Sequence, residues 1–283
     1  MTTGASRNPE FVSFEHEAMK TLFHLRLPPG AHGAVAASAC FLELERLEGL
    51  LSRYRPDSDI ARINLLSSGE SIFIDEATHA VLQTALTLHV QTGGVFDITM
   101  GRQTLHRNNA QGGEIPPLTG SLALDPTRPM VTCLEVGRHL DLGAIGKGYA
   151  LDRLAQVLAD HGMLSALLSA GASTHLAIGP DPWTLALTGD EMSLPLVLRD
   201  AALSASGTGM QGNHVLGPGG IPPTSYPHRR AWTVATIAAQ ADALSTACLL
   251  LEHSQLRQLH PPGLISVFVE AHEGAIQKIE NND

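Results

Sequence analysis

Several kinds of residue and segment are scarce in this chain of 283 residues. Aromatic residues make up only 4% of it, so any core must be built mainly from Leu, Ala, Val and Ile. No uncharged apolar run approaches the ~20 residues that a helix needs to cross a bilayer. The N-terminal residues also lack the apolar centre of a secretory signal peptide. We therefore expect a cytoplasmic protein without a membrane span.

Cysteine is rare as well. Cys40, Cys133 and Cys248 lie far apart among apolar neighbours, and they form neither a CxxC pair nor an even disulfide framework. Buried free thiols are the simplest interpretation, and a reducing compartment suits them. The 14 histidines form no HExxH motif and no Cys/His set, so the sequence does not predict zinc chemistry.

Positively charged residues are fewer than negatively charged ones, 18 Lys and Arg against 28 Asp and Glu. The formal net charge is −10, and such a protein gains nothing from counterion release on DNA or RNA, which disfavours a nucleic-acid partner. The only lysines are Lys20, Lys147 and Lys278. Lys147 stands out because it lies inside a glycine-rich segment.

The apolar content of 43% is enough for a substantial core, and we expect a single domain over residues 1–283. Apolar spacing and turn residues predict helices at 34–53, 76–91, 146–161 and 239–253, and a short one ending near Asn64. They predict one bent strand or a strand pair over 14–27, several short strands between 165 and 205, and strands at 71–75, 130–136, 231–238 and 264–270. Because these elements do not alternate regularly, the predicted fold class is α+β, with mixed or antiparallel sheets and packed helices.

Three segments are expected to lie outside this framework. Residues 1–13 are predicted to be a flexible N-terminus. Residues 101–129 and 207–230 are rich in Gly and Pro and are predicted to be long loops.

The segment 141–149, DLGAIGKGY, offers the first candidate site. It is predicted to follow a strand directly and to open a helix, an arrangement in which backbone N–H groups and the helix N-terminus can bind an anion. Lys147 adds a positive charge suited to phosphate. The segment is not a Walker A loop, because Gly148 stands where Ser or Thr should hold Mg²⁺. The alternative is a tight turn with an exposed lysine.

The segment 241–247, ADALSTA, offers the second. Asp242 and Thr246 are four residues apart, so both oxygens lie on one face of the predicted helix. A carboxylate plus a hydroxyl suits Mg²⁺, which keeps several positions for water and phosphate. The alternative is an acidic residue near a helix N-terminus and a threonine bonded to its own backbone.

Two further segments are less specific. In 93–99, GGVFDIT, an Asp and an aromatic after a glycine pair could contact a nucleoside, or they could form an ordinary loop that leads into a strand. In 58–64, SDIARIN, the alternative to a site is a capped short helix.

Taken together and in this order, the segments resemble the bacterial FAD:protein FMN transferases, the ApbE-like family. The resemblance covers the chain from about residue 14 to 270, and the segments beginning at Gly93, Asp141 and Ala241 are the distinctive ones. The matching positions are Met19 and Thr21, then Tyr54, Ser58 and Asn64, then Gly93–Thr99, Asp141–Tyr149, Ser206–Gly207 and Ala241–Ala247.

The resemblance implies a two-lobed α+β architecture that binds FAD and Mg²⁺. Carried over by motif, the residues around the flavin nucleotide are Met19, Tyr54, Asn64, Val95, Phe96, Asp97, Asp141 and Lys147. Mg²⁺ is implied to be held by Asp242, Thr246 and the main-chain carbonyl of Ala144. The implied reaction is attack of a Ser or Thr hydroxyl of a partner protein on the FMN phosphorus, with AMP as leaving group.

The sequence departs from the family pattern in three places. His214 is kept and is the candidate catalytic base, but Gly217 replaces the Asp that follows it in the family. Gly171-Ala172-Ser173 stands in place of Gly-Gly-Asp. Family members are commonly exported lipoproteins, whereas no export signal is recognised here. The nucleotide-binding half of the pattern is therefore intact, and the transfer half is altered.

These departures keep three functions open. The first is a flavin transferase that acts on a protein acceptor. The second is a non-catalytic FAD-binding protein, and the third is an FAD pyrophosphatase, in which water replaces the protein hydroxyl.

Overall fold

The structure is a computed structural model that describes residues 11–109, 114–208, 215–221, 223 and 225–280. Within these residues the strands are β1 (Val12–Ala18), β2 (Thr21–Leu27), β3 (Ser71–Phe73), β4 (Ser121–Leu124), β5 (Met130–Glu135), β6 (Ala166–Ala170), β7 (Thr174–Ile178), β8 (Trp183–Thr188), β9 (Ser193–Leu198), β10 (Ala201–Gly207), β11 (Arg230–Ala235), β12 (Leu264–Glu270) and β13 (Ile276–Lys278). The α-helices are α1 (Ala31–Leu51), α2 (Asp59–Ile63), α3 (Glu76–Gln91), α4 (Gly101–Asn108), α5 (Gly146–Asp160), α6 (Ala238–Leu250) and α7 (His253–Leu256). None of the helices in the described ranges combines the length and the apolar character needed to cross a lipid bilayer.

The strands form three antiparallel sheets. The largest has eight strands in the order β1-β2-β6-β7-β10-β11-β12-β13. A second sheet has the order β3-β5-β4, and β8 pairs with β9 in a two-stranded ribbon. The predicted α+β class with antiparallel sheets is therefore confirmed.

Both faces of the large sheet are covered, and strand alternation decides which residue faces which layer. In β10, Ala202 belongs to the larger apolar cluster with the helices, and Ser204 reaches a side chain of α6. Leu203 and Ala205 pack instead with Trp183 of the β8–β9 ribbon, in a second apolar cluster. Because side chains alternate along a strand, every second residue of β10 is directed at α6.

Most predicted elements are present with boundaries shifted by a few residues. Residues 14–27 form the strand pair rather than one bent strand, and Met19 and Lys20 make the turn between β1 and β2. Helix α3 has the predicted bounds, and α5 lies within the predicted 146–161. Helix α6 ends at Leu250, before the predicted residue 253.

One loop prediction and the prediction for the N-terminus are wrong in part. The stretch 101–129 contains α4 and β4, because Gly101 packs against the 139–140 backbone and β4 pairs with β5, contacts that local composition does not reveal. Val12 and Ser13, assigned to the flexible N-terminus, pair with β2. Of the predicted loop 207–230, only a part falls in the described residues. That part contains one 3-10 turn, Pro218–Gly220.

Helices α5 and α6 cap each other's N-termini. The Asp152 carboxylate of α5 accepts hydrogen bonds from the Ala238 and Ala239 N–H groups at the start of α6, at 2.7 and 2.8 Å. The Asp242 carboxylate of α6 accepts one from the Gly148 N–H at the start of α5, at 3.0 Å. Each carboxylate thereby satisfies N–H groups that have no partner within their own helix.

This contact requires glycine at position 148. A Cβ there would lie 2.5 Å from the carbonyl carbon of Ala238, which is too close for any side chain. We expect Gly148→Ala to push the helices apart and to lower the free energy of unfolding by about 1–3 kcal/mol. The matched control is Gly146→Ala, whose Cβ would meet the Leu142 Cβ at an ordinary 3.8 Å. Equal denaturation midpoints for the two variants in urea would contradict this account.

The Asp152 cap predicts a pH dependence of stability. Burial raises the pKa of Asp152 to about 6, and the charge of Asp242 acts in the same direction, against the two backbone hydrogen bonds. The pKa of Asp152 in the folded protein thus lies above its unfolded value of about 4. The carboxyl therefore makes its full contribution to the free energy of unfolding below about pH 4, and this contribution is lost as the pH rises through about 6. We therefore expect the stability of wild type relative to Asp152→Asn to increase on acidification over this range. Urea denaturation at several pH values measures it.

The control for this measurement is Asp160→Asn, which removes an exposed carboxylate from the last turn of the same helix. A pH dependence that both variants share would not be assigned to the Asp152 carboxyl. Parallel curves for Asp152→Asn and wild type would show that the Asp152 carboxyl does not have the raised pKa.

Candidate functional site

The segment 141–149 forms the start of the site, although it does not follow a strand directly as predicted. Residues 136–145 separate β5 from α5, and Lys147 is the second residue of α5. One oxygen of Asp141 accepts the Gly143 N–H at 3.0 Å, and the other pairs with the Arg53 guanidinium. The Lys147 ammonium donates to the Gly143 carbonyl at 3.3 Å. The segment therefore turns back on itself and directs Lys147 toward its own backbone.

Asn64 fastens this segment to the rest of the protein. Its amide accepts the Leu140 N–H at 2.6 Å and donates to the Leu140 carbonyl at 3.0 Å. Both ends of the side chain are thus engaged by the residue before Asp141. The structure gives Asn64 a role in placing Asp141, and its contact with a nucleotide stays a prediction.

An exposed aromatic ring lies next to two cations. Tyr54 is 56% exposed, and the Lys20 ammonium lies 3.8 Å from its ring centroid. The Arg53 guanidinium carbon is 5.3 Å from the same centroid. Met19, beside Lys20 in the hairpin turn, packs partly against the core. An aromatic face with adjacent positive charge is a surface on which a heterocycle and a phosphate can both bind.

Positive charge accumulates around this surface despite the net charge of −10. Burial, and then the charges of Arg102 and Arg53, lower the pKa of His139. Together with Lys20 and Arg53 beside Tyr54, Arg102 thus adds to the positive charge in this part of the protein. The region between the hairpin turn and α5 therefore suits an anionic ligand.

The residues of the segment 93–99 are held more tightly than their sequence suggests. Phe96 is buried, with 3% exposure. The Asp97 carboxylate accepts the N–H and the hydroxyl of Thr99, both at 2.7 Å, and pairs with Arg138 at 3.2 Å. Val95 packs partly against the core. In this structure the side chains of Phe96 and Asp97 bind the protein itself, and their contact with a nucleotide stays a prediction.

Asp242 and Thr246 occupy the face of α6 that covers β10 and β7. Asp242 is 4% exposed, and one of its oxygens, Oδ1, lies 3.2 Å from the Thr174 hydroxyl and 3.3 Å from the Ser204 hydroxyl. The Lys147 ammonium is 3.6 Å from the same oxygen. The half-buried Thr246 hydroxyl lies 3.2 Å from that of Ser206.

This oxygen set fits a hard divalent cation better than a transition metal. No group of three or more His, Cys, Asp or Glu side chains that could hold a metal occurs in the described part of the chain. One carboxylate with neutral oxygens around it is instead typical of Mg²⁺ sites completed by phosphate and water. The Lys147 ammonium, shared by Asp242 and the Gly143 carbonyl, shows that these oxygens accommodate a positive charge. Ala144, the predicted carbonyl ligand, is the residue after Gly143.

The structure thus brings Lys147 and Asp242 together, while the Asp141 side chain binds the Gly143 N–H and Arg53. The sequence singled out Asp141, Lys147 and Asp242. His214 lies outside the described residues. The sequence analysis missed the contributions of Lys20, Arg53, Thr174 and Ser204. For Ser204 a signal was available, because residues 203–206 (LSAS) alternate polar and apolar side chains. The partner helix could not be inferred from that pattern.

The fold and the site define an α+β protein in which two mutually capped helices cover an antiparallel sheet, next to a cationic surface. The ApbE family model matches residues 19–265, and the chain belongs to the ApbE family. The resemblance inferred from the motifs is confirmed.

Named relatives and solved structures agree with this family assignment. A protein of Treponema pallidum (strain Nichols) named "FAD:protein FMN transferase" is 26% identical, over 85% of this chain and 78% of the relative. One of Escherichia coli (strain K12) with the same name is 23% identical, over 94% and 85%. The ApbE protein of Thermotoga maritima MSB8 has a TM-score of 0.82 at 23% identity, covering 95% of this chain and 97% of that chain. The flavin transferase ApbE of Vibrio cholerae has a TM-score of 0.83 at 19% identity, covering 96% and 97%. At these identities the structures establish a shared fold.

Proposed function

We propose that this chain binds FAD with Mg²⁺ and transfers FMN from FAD to a Ser or Thr hydroxyl of a target protein, with release of AMP. The observation that carries the proposal is the position of the Lys147 ammonium, 3.6 Å from Asp242 and 3.3 Å from the Gly143 carbonyl. A cationic group and a carboxylate meet there, at the N-terminus of α5, where an anion is favoured. The names of the relatives support the same activity.

The proposed binding residues keep the assignments given by motif. The flavin nucleotide would be held by Met19, Tyr54, Asn64, Asp141, Lys147 and the turn 95–97. Mg²⁺ would be held by Asp242, Thr246 and the Ala144 carbonyl. When bound, the ion would supply positive charge that neutralises the pyrophosphate and stabilises AMP as the leaving group.

The chemical step requires positioning and proton transfer from this chain. The acceptor hydroxyl oxygen forms a bond to the FMN phosphorus, the anhydride bond to the AMP phosphate breaks, and AMP leaves with that electron pair. The proton of the hydroxyl passes to a base, for which His214 is the candidate. Lys147 would bind a phosphate oxygen throughout.

A cytoplasmic location belongs to the proposal. Its support is that Cys40, Cys133 and Cys248 are buried free thiols, an arrangement suited to a reducing compartment. Burial raises the pKa of Cys40 to about 12, so this thiol stays protonated and unreactive at neutral pH.

FAD hydrolysis is the second candidate, and the lack of a carboxylate at position 217 favours it. The Gly217 N–H donates to the Ile221 carbonyl at 2.8 Å in a tight turn, and this position contributes no carboxylate. Without that acid to orient a base, transfer to a protein hydroxyl should be slow, and water can compete as the nucleophile. If the reaction without this acid is too slow to matter, the protein binds FAD without turning it over.

One incubation separates these functions. We expect the flavin fluorescence of FAD to be quenched when FAD binds. AMP should accumulate slowly when the protein is incubated with FAD and Mg²⁺, and less AMP should form in the presence of EDTA. Chromatography of AMP, FMN and FAD distinguishes hydrolysis, which releases free FMN, from transfer, which leaves FMN bound to an acceptor protein supplied in the incubation. A complete lack of fluorescence or thermal-shift response to FAD would reject the proposal.

The turn at Gly217 can be tested by restoring the acid. The backbone, with φ −78° and ψ −178°, accepts any residue, and a Cβ would lie 3.1 Å from the Ile221 carbonyl oxygen, so a small shift suffices. We expect Gly217→Asp to raise the rate of AMP release on the order of tenfold, since an orienting acid recovers part of a general base's contribution. FAD affinity should not change.

The matched control is Gly217→Asn, which has the same size without the charge and should not accelerate the reaction. His214→Ala should abolish turnover and leave FAD affinity nearly intact. Full turnover in His214→Ala would show that the base lies elsewhere.

A further inference from the structure

We propose that Thr174 of β7 and Ser204 of β10 are positioning residues that fix the Asp242 carboxylate as a metal ligand. This inference rests on the proposed function, since it concerns the same Mg²⁺ site. It adds two residues from the sheet that no motif of the family resemblance includes.

The three side chains form a buried group, which is bordered by the Ser173 hydroxyl, 3.4 Å from that of Thr174. The hydroxyls of Thr174 and Ser204 lie 3.0 Å apart, and each lies within 3.3 Å of Asp242 Oδ1. Thr174 and Ser204 are both 0% exposed. Because both residues point from the sheet toward α6, they contact the carboxylate from the side opposite to its own helix.

Proton counting shows what this group can do. Two hydroxyls hold two protons, while the three contacts among the three side chains would need three. Both hydroxyls lie in position to donate to Oδ1, the acceptor oxygen of the carboxylate. In that arrangement the carboxylate receives two hydrogen bonds from the sheet, which oppose rotation about its Cβ–Cγ bond.

The second oxygen completes the restraint. Asp242 Oδ2 accepts the Gly148 N–H at 3.0 Å, so the two oxygens are held by different elements. Free rotation would exchange the oxygens and break both sets of contacts. Oδ1, the oxygen nearest to the Lys147 ammonium, is therefore kept facing the cationic side of the site.

The choice of hydroxyl groups over charged donors supports a ligand role. Burying a carboxylate is costly unless its oxygens are hydrogen-bonded, and an arginine would meet that need. An arginine would also cancel the negative charge, whereas hydroxyls satisfy the oxygen without adding a second cation to the Lys147 ammonium, which already lies 3.6 Å from it. Metal-binding side chains are commonly oriented by such outer partners.

The test measures metal affinity directly, with Mn²⁺ as a spectroscopic substitute for Mg²⁺. Free Mn²⁺ is quantified by electron paramagnetic resonance during titration of the full-length protein, with and without FAD. We expect Thr174→Val and Ser204→Ala to weaken Mn²⁺ binding by about tenfold or more, the usual effect of losing an outer partner. Thr174→Ser, which keeps the hydroxyl, should retain nearly the wild-type affinity. FAD affinity in EDTA should be unchanged in all three variants.

Thr233→Val is the matched control. Thr233 is also 0% exposed, and its hydroxyl donates to the Ala241 carbonyl of α6 at 2.7 Å without touching Asp242. This variant should lose stability and keep its Mn²⁺ affinity. An equal loss of Mn²⁺ affinity in Thr233→Val would assign the effect to displacement of α6 and overturn the inference.

Asp242→Ala separates this inference from the proposed function. If Asp242→Ala weakens Mn²⁺ binding while Thr174→Val and Ser204→Ala do not, the positioning role is wrong and the metal site stands. If Asp242→Ala has no effect, or wild type binds no Mn²⁺ even with FAD, the metal site itself is wrong. Should Thr174→Val fail to fold, Ser204→Ala and Thr174→Ser decide the question by the same criteria.

Discussion

The mutual capping of α5 and α6 is the interaction on which the site depends. Asp152 binds the first N–H groups of α6, and Asp242 binds an N–H group at the start of α5. Each helix therefore fixes the start of the other, and a backbone contact at Gly148 sets their separation. Because Lys147 precedes Gly148 directly, the same contact decides how far the ammonium lies from the Asp242 carboxylate. Loosening the junction would move the two charged groups apart together with the helices.

The antiparallel sheet determines which side chains lie beneath Asp242. Alternation along β10 directs Leu203 into the cluster with the β8–β9 ribbon and Ser204 toward α6. A register shift of one residue would place leucine beneath Asp242 and a hydroxyl in the apolar layer. Both consequences are unfavourable, because a buried carboxylate would lose hydrogen bonds and a buried hydroxyl would lack a partner. The apolar packing of one face thus enforces the polar contacts of the other.

Sequence reasoning recovers what is local and misses what needs tertiary contact. Period and capping patterns predict α3 and α5, because amphipathic spacing and glycine stops are encoded within each segment. Helix α4 was missed, since its polar residues next to Pro and Gly suggest a loop and its start is fixed by a backbone contact with His139. In the site, Lys147 and Asp242 were found from glycine spacing and from helical register. Arg53 was not, because its partner Asp141 is distant in sequence and no local pattern joins them.

The charge distribution explains why a cation belongs in the proposed site. A pyrophosphate attracted by Lys147 also approaches Asp242, because the ammonium and the carboxylate are 3.6 Å apart. Two like charges at 4 Å repel by about 4 kcal/mol at an effective dielectric constant of about 20. Lys147 carries a single positive charge, and that charge already pairs with Asp242. It therefore cannot also offset the repulsion between Asp242 and the phosphates. A divalent ion held by Asp242, as proposed, would attract both the carboxylate and the phosphates and so remove this repulsion. The buried carboxylate should weaken the binding of FAD alone and strengthen the binding of FAD together with Mg²⁺. Each of the two proposed ligands should therefore raise the affinity for the other.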